Sequence, residues 1–186
     1  TIKNLLERGK ILISEPFLGD ATFERSVVLL CEHNDNGAFG FMLNKSTSLT
    51  INAVLEETVP FEQDLFLGGP VAQDSLFFLI RQEEAILNGA MHIKDDLYWG
   101  GDFEHLKVLI KEEVLDINNC RFFLGYSGWS EEQLEAELEN DSWIVTDIHS
   151  EEMFVKNPQS MWQTILRNMG GEYKALSNYP IDPRLN

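Results

Sequence analysis

Acid dominates this chain: 31 aspartates and glutamates against 14 lysines and arginines in 186 residues leave a net charge of −17. A field of that sign repels phosphate backbones, and no run of five or more basic residues offers a local exception, so direct nucleic-acid binding is disfavoured. The 44% hydrophobic and 11% aromatic content suits one packed domain over 1–186, while the longest apolar runs are five residues, against about 20 for a membrane span.

In chain order, residues 10–14 predict a first strand closed by Pro16, residues 25–33 a second rich in Val and Leu, and residues 38–44 a third. Between the last two, Asn34, Asp35, Asn36 and Gly37 form a strong hairpin signal. Residues 50–58 predict a short helix. Strands at 64–67 and 75–81 flank a Gly68, Gly69, Pro70 turn, and residues 85–99 read as short strands broken by turns. Asp102 caps a helix over 102–115, with Phe103, Leu106, Ile110 and Val114 on one face.

A strand at 120–125 then leads through a tight glycine turn, Gly125 to Trp129, into a helix over 131–139. Ser130 with Gln133 gives that helix a capping-box signature. A strand is predicted at 142–148. Asn157 caps the last helix, Pro158 occupies its first turn, Met161, Trp162, Ile165 and Met169 make its apolar face, and Gly170 stops it. The tail, with Pro180 and Pro183, is neither helix interior nor central strand. Hairpins early and interspersed helices late indicate an α+β domain with helices packed around a curved or barrel-like sheet.

Two cysteines, Cys31 and Cys120, lie in apolar, strand-like runs, and no signal-peptide pattern opens the chain. Both features read as reduced, buried thiols in a cytoplasmic protein.

Candidate chemistry centres on Gly125, Tyr126, Ser127, Gly128 and Trp129. Two glycines around a small hydroxyl residue build a turn whose backbone can approach another surface closely. The segment nearly matches the Gly-x-Ser-x-Gly nucleophile elbow in its strand–turn–helix setting, but Trp129 stands where the second glycine belongs. Asp147 and His149 follow in the hydrolase order, yet they lie two residues apart on one predicted strand, with little freedom to form a relay. A structural turn is therefore favoured over a hydrolase using Ser127.

Other candidates fall away on spacing. Glu32 to Gly37 imitates the start of an EF-hand loop whose closing glutamate would fall on Leu43. His33, His92, His105 and His149 show no ligand spacing, and the glycine pairs at 68–69, 100–101 and 170–171 lack the residues of a phosphate loop. No catalytic residue, metal ligand or cofactor is expected. The acidic run Glu131, Glu132, Glu135, Glu137, Glu139 reads as a solvated face behind Leu134 and Leu138, with Glu137 alone placed to bond inward to the glycine turn instead.

Together these segments resemble the AlgH/YqgE family of bacterial proteins. The resemblance starts at 9–16 and continues through Phe23, Ser26, Val27 and Val28, then Gly37, Ala38, Gly40 and Asn44, then Gly68 to Val71. Its most specific part is Gly125 to Trp129 with Gln133, Leu134 and Glu137. Trp143, Trp162, Leu176, Ser177, Pro180, Asp182, Pro183 and Asn186 complete it. The resemblance implies an α+β fold whose bifurcated, mixed sheet closes into a pseudo-barrel with flanking helices, in a cytoplasmic bacterial protein often labelled a transcriptional regulator.

No basic recognition helix accompanies that label, since Lys107 and Lys111 are cancelled by Glu104, Glu112 and Glu113. The expected function is a non-enzymatic binding or regulatory protein acting through a small ligand or a protein partner; a hydrolase using Ser127 ranks second and direct DNA binding third. The candidate surface is Asn44, Gly68, Gly69, Pro70, Tyr126, Ser127, Gly128 and Trp129. The competing reading makes these buried turn and core positions that hold an unusual sheet together. Full burial of Ser127 and Trp129 would weigh heavily against a binding surface built on them.

Overall fold

The run Val27 to Cys31 is apolar without interruption and wholly buried, as expected of a strand covered on both faces. It lies in β2 (Val27–Asn34), near the middle of a ten-stranded sheet in a computed structural model that describes residues 5–180. The other strands are β1 (Ile11–Ser14), β3 (Gly37–Met42), β4 (Ser46–Thr50), β5 (Asp64–Leu67), β6 (Val71–Arg81), β7 (Met91–Lys94), β8 (Leu97–Trp99), β9 (Cys120–Trp129) and β10 (Trp143–Thr146). Five α-helices accompany them among the described residues: α1 (Ile51–Val54), α2 (Phe103–Lys111), α3 (Gln133–Glu139), α4 (Met161–Met169) and α5 (Gly171–Leu176).

The chain is thus α+β, built on a large and mostly antiparallel sheet. Strand order along the main path is β10-β1-β2-β3-β9-β6-β8-β7, with β5 joining β9 and β4 joining β5. Among the described residues only the β5–β9 pairing is parallel. The path does not close: β10 and β7 stand at opposite ends and are not paired with each other. Barrel-like closure, expected from the sequence, is therefore absent from the strand pairing, whereas the bifurcation is present and lies at β9.

One edge of β9 is divided between two partners. Its first half pairs with β5 through Phe122, Phe123 and Leu124, and its second half with β3 through Ser127, Gly128 and Trp129. The opposite edge pairs with β6 from Cys120 to Tyr126. β9 is therefore the branch strand.

Three apolar cores cover the sheet. In the first, α4 buries Met161, Trp162 and Leu166 against Ile11, Leu29 and Phe41. In the second, α2 places Leu106 and Leu109 beside Phe78 and Phe122. In the third, Leu134 of α3 packs with Trp129 and Trp143. Among the described residues no helix is long and apolar enough to cross a membrane.

Several boundaries differ from the sequence-based expectation. Gly125 to Trp129 is not a turn but the second half of β9. Leu109, not Val114, completes the buried face of α2; Val114 lies beyond its end and is 49% exposed. The predicted helix at 50–58 is the single turn α1, and β4 and α5 had no clear signal. Asn157 makes no side-chain cap, and of the capping box at Ser130 the Gln133 bond back to the Ser130 N–H is present at 2.9 Å. The hairpin is as expected, with the Asn34 side chain accepting from the Asn36 N–H at 2.8 Å. Asp182, Pro183 and Asn186, which the resemblance also used, lie outside the described residues.

Candidate functional site

The branch at β9 explains the glycines. Residues 68–69, between β5 and β6, run in direct contact with residues 125–127 of β9. A Cβ on Gly69 would stand 2.1 Å from the Tyr126 carbonyl carbon and oxygen, and one on Gly68 would stand 2.3 Å from the Gly125 oxygen. Gly125 has φ +74, a left-handed conformation that favours glycine, and sits where the β6–β9 register shifts between Val71 and Leu76. Ser127 is 0% exposed, and its Oγ donates to the Gly68 carbonyl at 3.0 Å, closing the crossing.

That geometry removes the hydrolase reading. Ser127 lies within a strand rather than on an elbow, and its hydroxyl is committed to Gly68. Asp147 is engaged by Lys10 at 3.0 Å and Lys94 at 3.5 Å, while the backbone N–H of His149 donates to Glu152 at 2.9 Å. Burial alone would raise the Asp147 pKa, but the two lysines outweigh it and hold the carboxyl below its ordinary range. No hydrogen bond joins Ser127, Asp147 and His149 among the described residues.

Trp129 is 6% exposed and packs edge-on against Trp143 at 5.9 Å. Its indole N–H donates to Glu137 Oε1 at 3.3 Å, and Trp143 donates to the same oxygen at 3.0 Å. Gln133 Nε2 donates to Glu137 Oε2 at 2.9 Å. Glu137 therefore takes the inward role, tying α3 to β9 and β10. Asn44 is a latch as well: its Oδ1 accepts from the Val27 N–H at 3.0 Å and its Nδ2 donates to the Arg25 carbonyl at 2.8 Å. It holds Arg25, at φ 48, where the guanidinium lies 4.7 Å over the Trp162 ring.

Of the eight candidate residues, Gly68, Gly69, Ser127 and Trp129 are buried and Asn44 is half-buried. Pro70 and Gly128 are exposed, and Tyr126 is half-buried. Tyr126, Gly128 and Trp129 line a groove of about 480 Å³ together with Glu32, Ala38, Phe39, Val71 and Trp99. Its rings are in mutual contact, Phe39 to Trp99 at 4.8 Å and Phe39 to Tyr126 at 5.1 Å. Phe39, Val71 and Trp99 were not among the candidate surface residues, although Val71 belongs to the family resemblance. Phe39 and Gly128 face each other across β3 and β9, a register visible only once β9 is known to continue past Gly125.

A family profile described as AlgH-like matches residues 11–174. The chain belongs to the AlgH-like family. It is 78% identical over 182 residues to a UPF0301 protein of Cytophaga hutchinsonii, covering 98% of this chain and 100% of that one. A UPF0301 protein of Parabacteroides distasonis is 43% identical, over 96% and 91% of the two chains. The solution structure of AlgH from Pseudomonas aeruginosa superposes with a TM-score of 0.72 at 25% identity over 94% of each chain. A protein of Corynebacterium diphtheriae shares the fold, with a TM-score of 0.79 at 23% identity over 95% and 96%.

In this AlgH-like chain both thiols are quiet. Cys31 and Cys120 are buried and unpaired. Burial pushes the Cys31 pKa well above its ordinary value, with Glu32 adding to the effect, and pushes Cys120 up to about 12, with Asp116 adding. The one strongly buried cation among the described residues, Arg121, is structural. Arg121 donates to the carbonyls of Leu43 and Val155 and lies 4.0 Å over the Phe66 ring, and burial lowers its pKa to about 10 against the opposing pull of Asp64.

Proposed function

We propose that this chain is a non-enzymatic, cytoplasmic binding protein that regulates through a small ligand or a protein partner, received in the groove between β3, β8 and β9. The observation that carries the reading is the groove's lining. Phe39, Trp99 and Tyr126 are half-buried, so their faces and edges remain partly open beside the exposed backbone of Gly128. Concave, mostly apolar surfaces with a few polar groups suit recognition, and aromatic residues dominate its energetics. The buried half of the glycine motif supplies the rigid frame for that surface. A net charge of −17 supports a route to regulation through a partner instead of through DNA contact.

The groove's chemistry suits a planar apolar group. Titrating the isotope-labelled chain with indole and with 4-methylphenol should shift the Gly128 amide and the Trp99 indole N–H saturably. Resonances of the separate aromatic pair Phe61 and Phe122, 5.4 Å apart in the second core, should stay in place. Silence at Gly128 and Trp99, or equal shifts at the two sites, would count against the groove.

A further inference from the structure

The groove between β3, β8 and β9 carries a charge as well as rings. Glu32 is the one charged residue in its lining among the described residues. Glu32 stands directly opposite Phe39 in the β2–β3 register, and Phe39 stands directly opposite Gly128 in the β3–β9 register. Residues directly opposite one another project to the same face of a sheet, and neighbouring strands lie about 4.8 Å apart. Glu32, the Phe39 ring and the bare backbone of Gly128 therefore form one row across three strands. Trp99 and Tyr126 pack against the middle of that row, 4.8 and 5.1 Å from the Phe39 ring.

The carboxylate is available to a ligand. Glu32 is half-buried and makes no ion pair or hydrogen bond among the described residues. Its oxygens are not among the buried unpartnered polar atoms, so they keep contact with solvent. His33, the next residue of β2, projects to the opposite face and is engaged by Glu135 at 2.5 Å. A carboxylate and the negative faces of aromatic rings both attract a cation, and the net charge of −17 acts in the same direction.

Resting on the groove as the binding site, we propose that its ligand is an arylalkylammonium ion, a small molecule in which a short alkyl arm joins a planar ring to a protonated amine. The ring lies over Gly128, where no side chain intervenes, against Tyr126 and Trp99. The arm follows the row across β3, and the ammonium group meets Glu32 at its end. A neutral ring leaves that carboxylate without a partner, and an aromatic acid brings it a like charge. The volume of about 480 Å³ falls in the range of small-molecule sites.

The test is a titration of the isotope-labelled full chain with tryptamine, indole and indole-3-acetate, read at the Gly128 amide and the Trp99 indole N–H. Tryptamine should bind about tenfold more tightly than indole, and indole-3-acetate more weakly than indole. Glu32→Gln should bring tryptamine to within about threefold of indole and leave indole itself unchanged. Glu84→Gln removes the same charge at an exposed position outside the groove and should leave all three affinities unchanged. The comparison of ligands needs no variant, so it stands whatever the fold of Glu32→Gln. Indole binding with no preference for tryptamine overturns the ligand class while leaving the groove in place. Equal weakening of tryptamine by Glu32→Gln and Glu84→Gln overturns it too, since the preference would then come from the charge of the whole chain. Silence of all three probes at Gly128 and Trp99 removes the groove, and this ligand with it.

Discussion

Gly69→Ala is expected to destabilise the fold by about 3 kcal/mol, a drop of roughly 6–12 °C in Tm for a chain of this size. The added Cβ would lie 2.1 Å from the Tyr126 carbonyl carbon and oxygen and 2.4 Å from the Ser127 nitrogen. All three are backbone atoms of the branch strand, so relief requires moving β9 itself, together with its pairing to β3 and β6. Gly128, three residues from Gly125 in the same motif, behaves differently. A Cβ there meets only the Tyr126 ring, at 3.3 and 3.9 Å, and a side-chain ring can turn aside. Gly128→Ala should therefore shift Tm by no more than about 2 °C. Thermal unfolding of the two variants separates the glycine that permits the crossing from the glycine that leaves a surface open; equal effects would contradict that division.

Glu137→Leu should cost about 2–4 kcal/mol, or roughly 5–15 °C in Tm, although it replaces a charged residue by an apolar one on a helix next to a core. The carboxylate accepts from both indole N–H groups, Trp129 at 3.3 Å and Trp143 at 3.0 Å, and from Gln133 at 2.9 Å. Leucine leaves both buried indoles without an acceptor, and the penalty for orphaned donors exceeds the gain from extra apolar area. Glu137→Gln keeps one acceptor oxygen and should lose less. A double-mutant cycle with Trp143→Phe should give a coupling of about 1 kcal/mol or more, because the phenylalanine no longer needs the oxygen. A Glu137→Leu variant as stable as the parent would mean that the carboxylate is an ordinary member of a solvated acidic face.

Much of the frame was legible in the sequence because it rests on local signals. The apolar run at Val27, the Asn-Gly hairpin after β2, the Asp102 cap and the Gly170 stop each act within a few residues. β9 was misread for a physical reason. Glycine marks a turn, a bulge or a close backbone approach alike, and only the neighbour at Gly69 shows that Gly125 is a bulge in a continuing strand. Barrel closure was expected from family resemblance and depends on pairing between strands distant in sequence, which no local pattern records. The site was legible in part. Tyr126 and Gly128 were among the candidate residues, but Trp99 reaches the groove from β8 through the curvature of the sheet, and Phe39 through the β3–β9 register. The burial of Ser127 and Trp129 moved half of the motif from recognition to architecture.

The measurement closest to the central claim is native mass spectrometry of this chain purified gently from its own bacterial host, beside the variant Gly128→Leu. The leucine side chain would occupy the groove next to Tyr126 while leaving the backbone pairing of β9 with β3 in place. A groove that binds predicts a reproducible extra mass on the parent, from a metabolite or a protein partner, and its loss from the variant. A bare parent chain, or an extra mass that persists on Gly128→Leu, would contradict the assignment of this groove as the binding site.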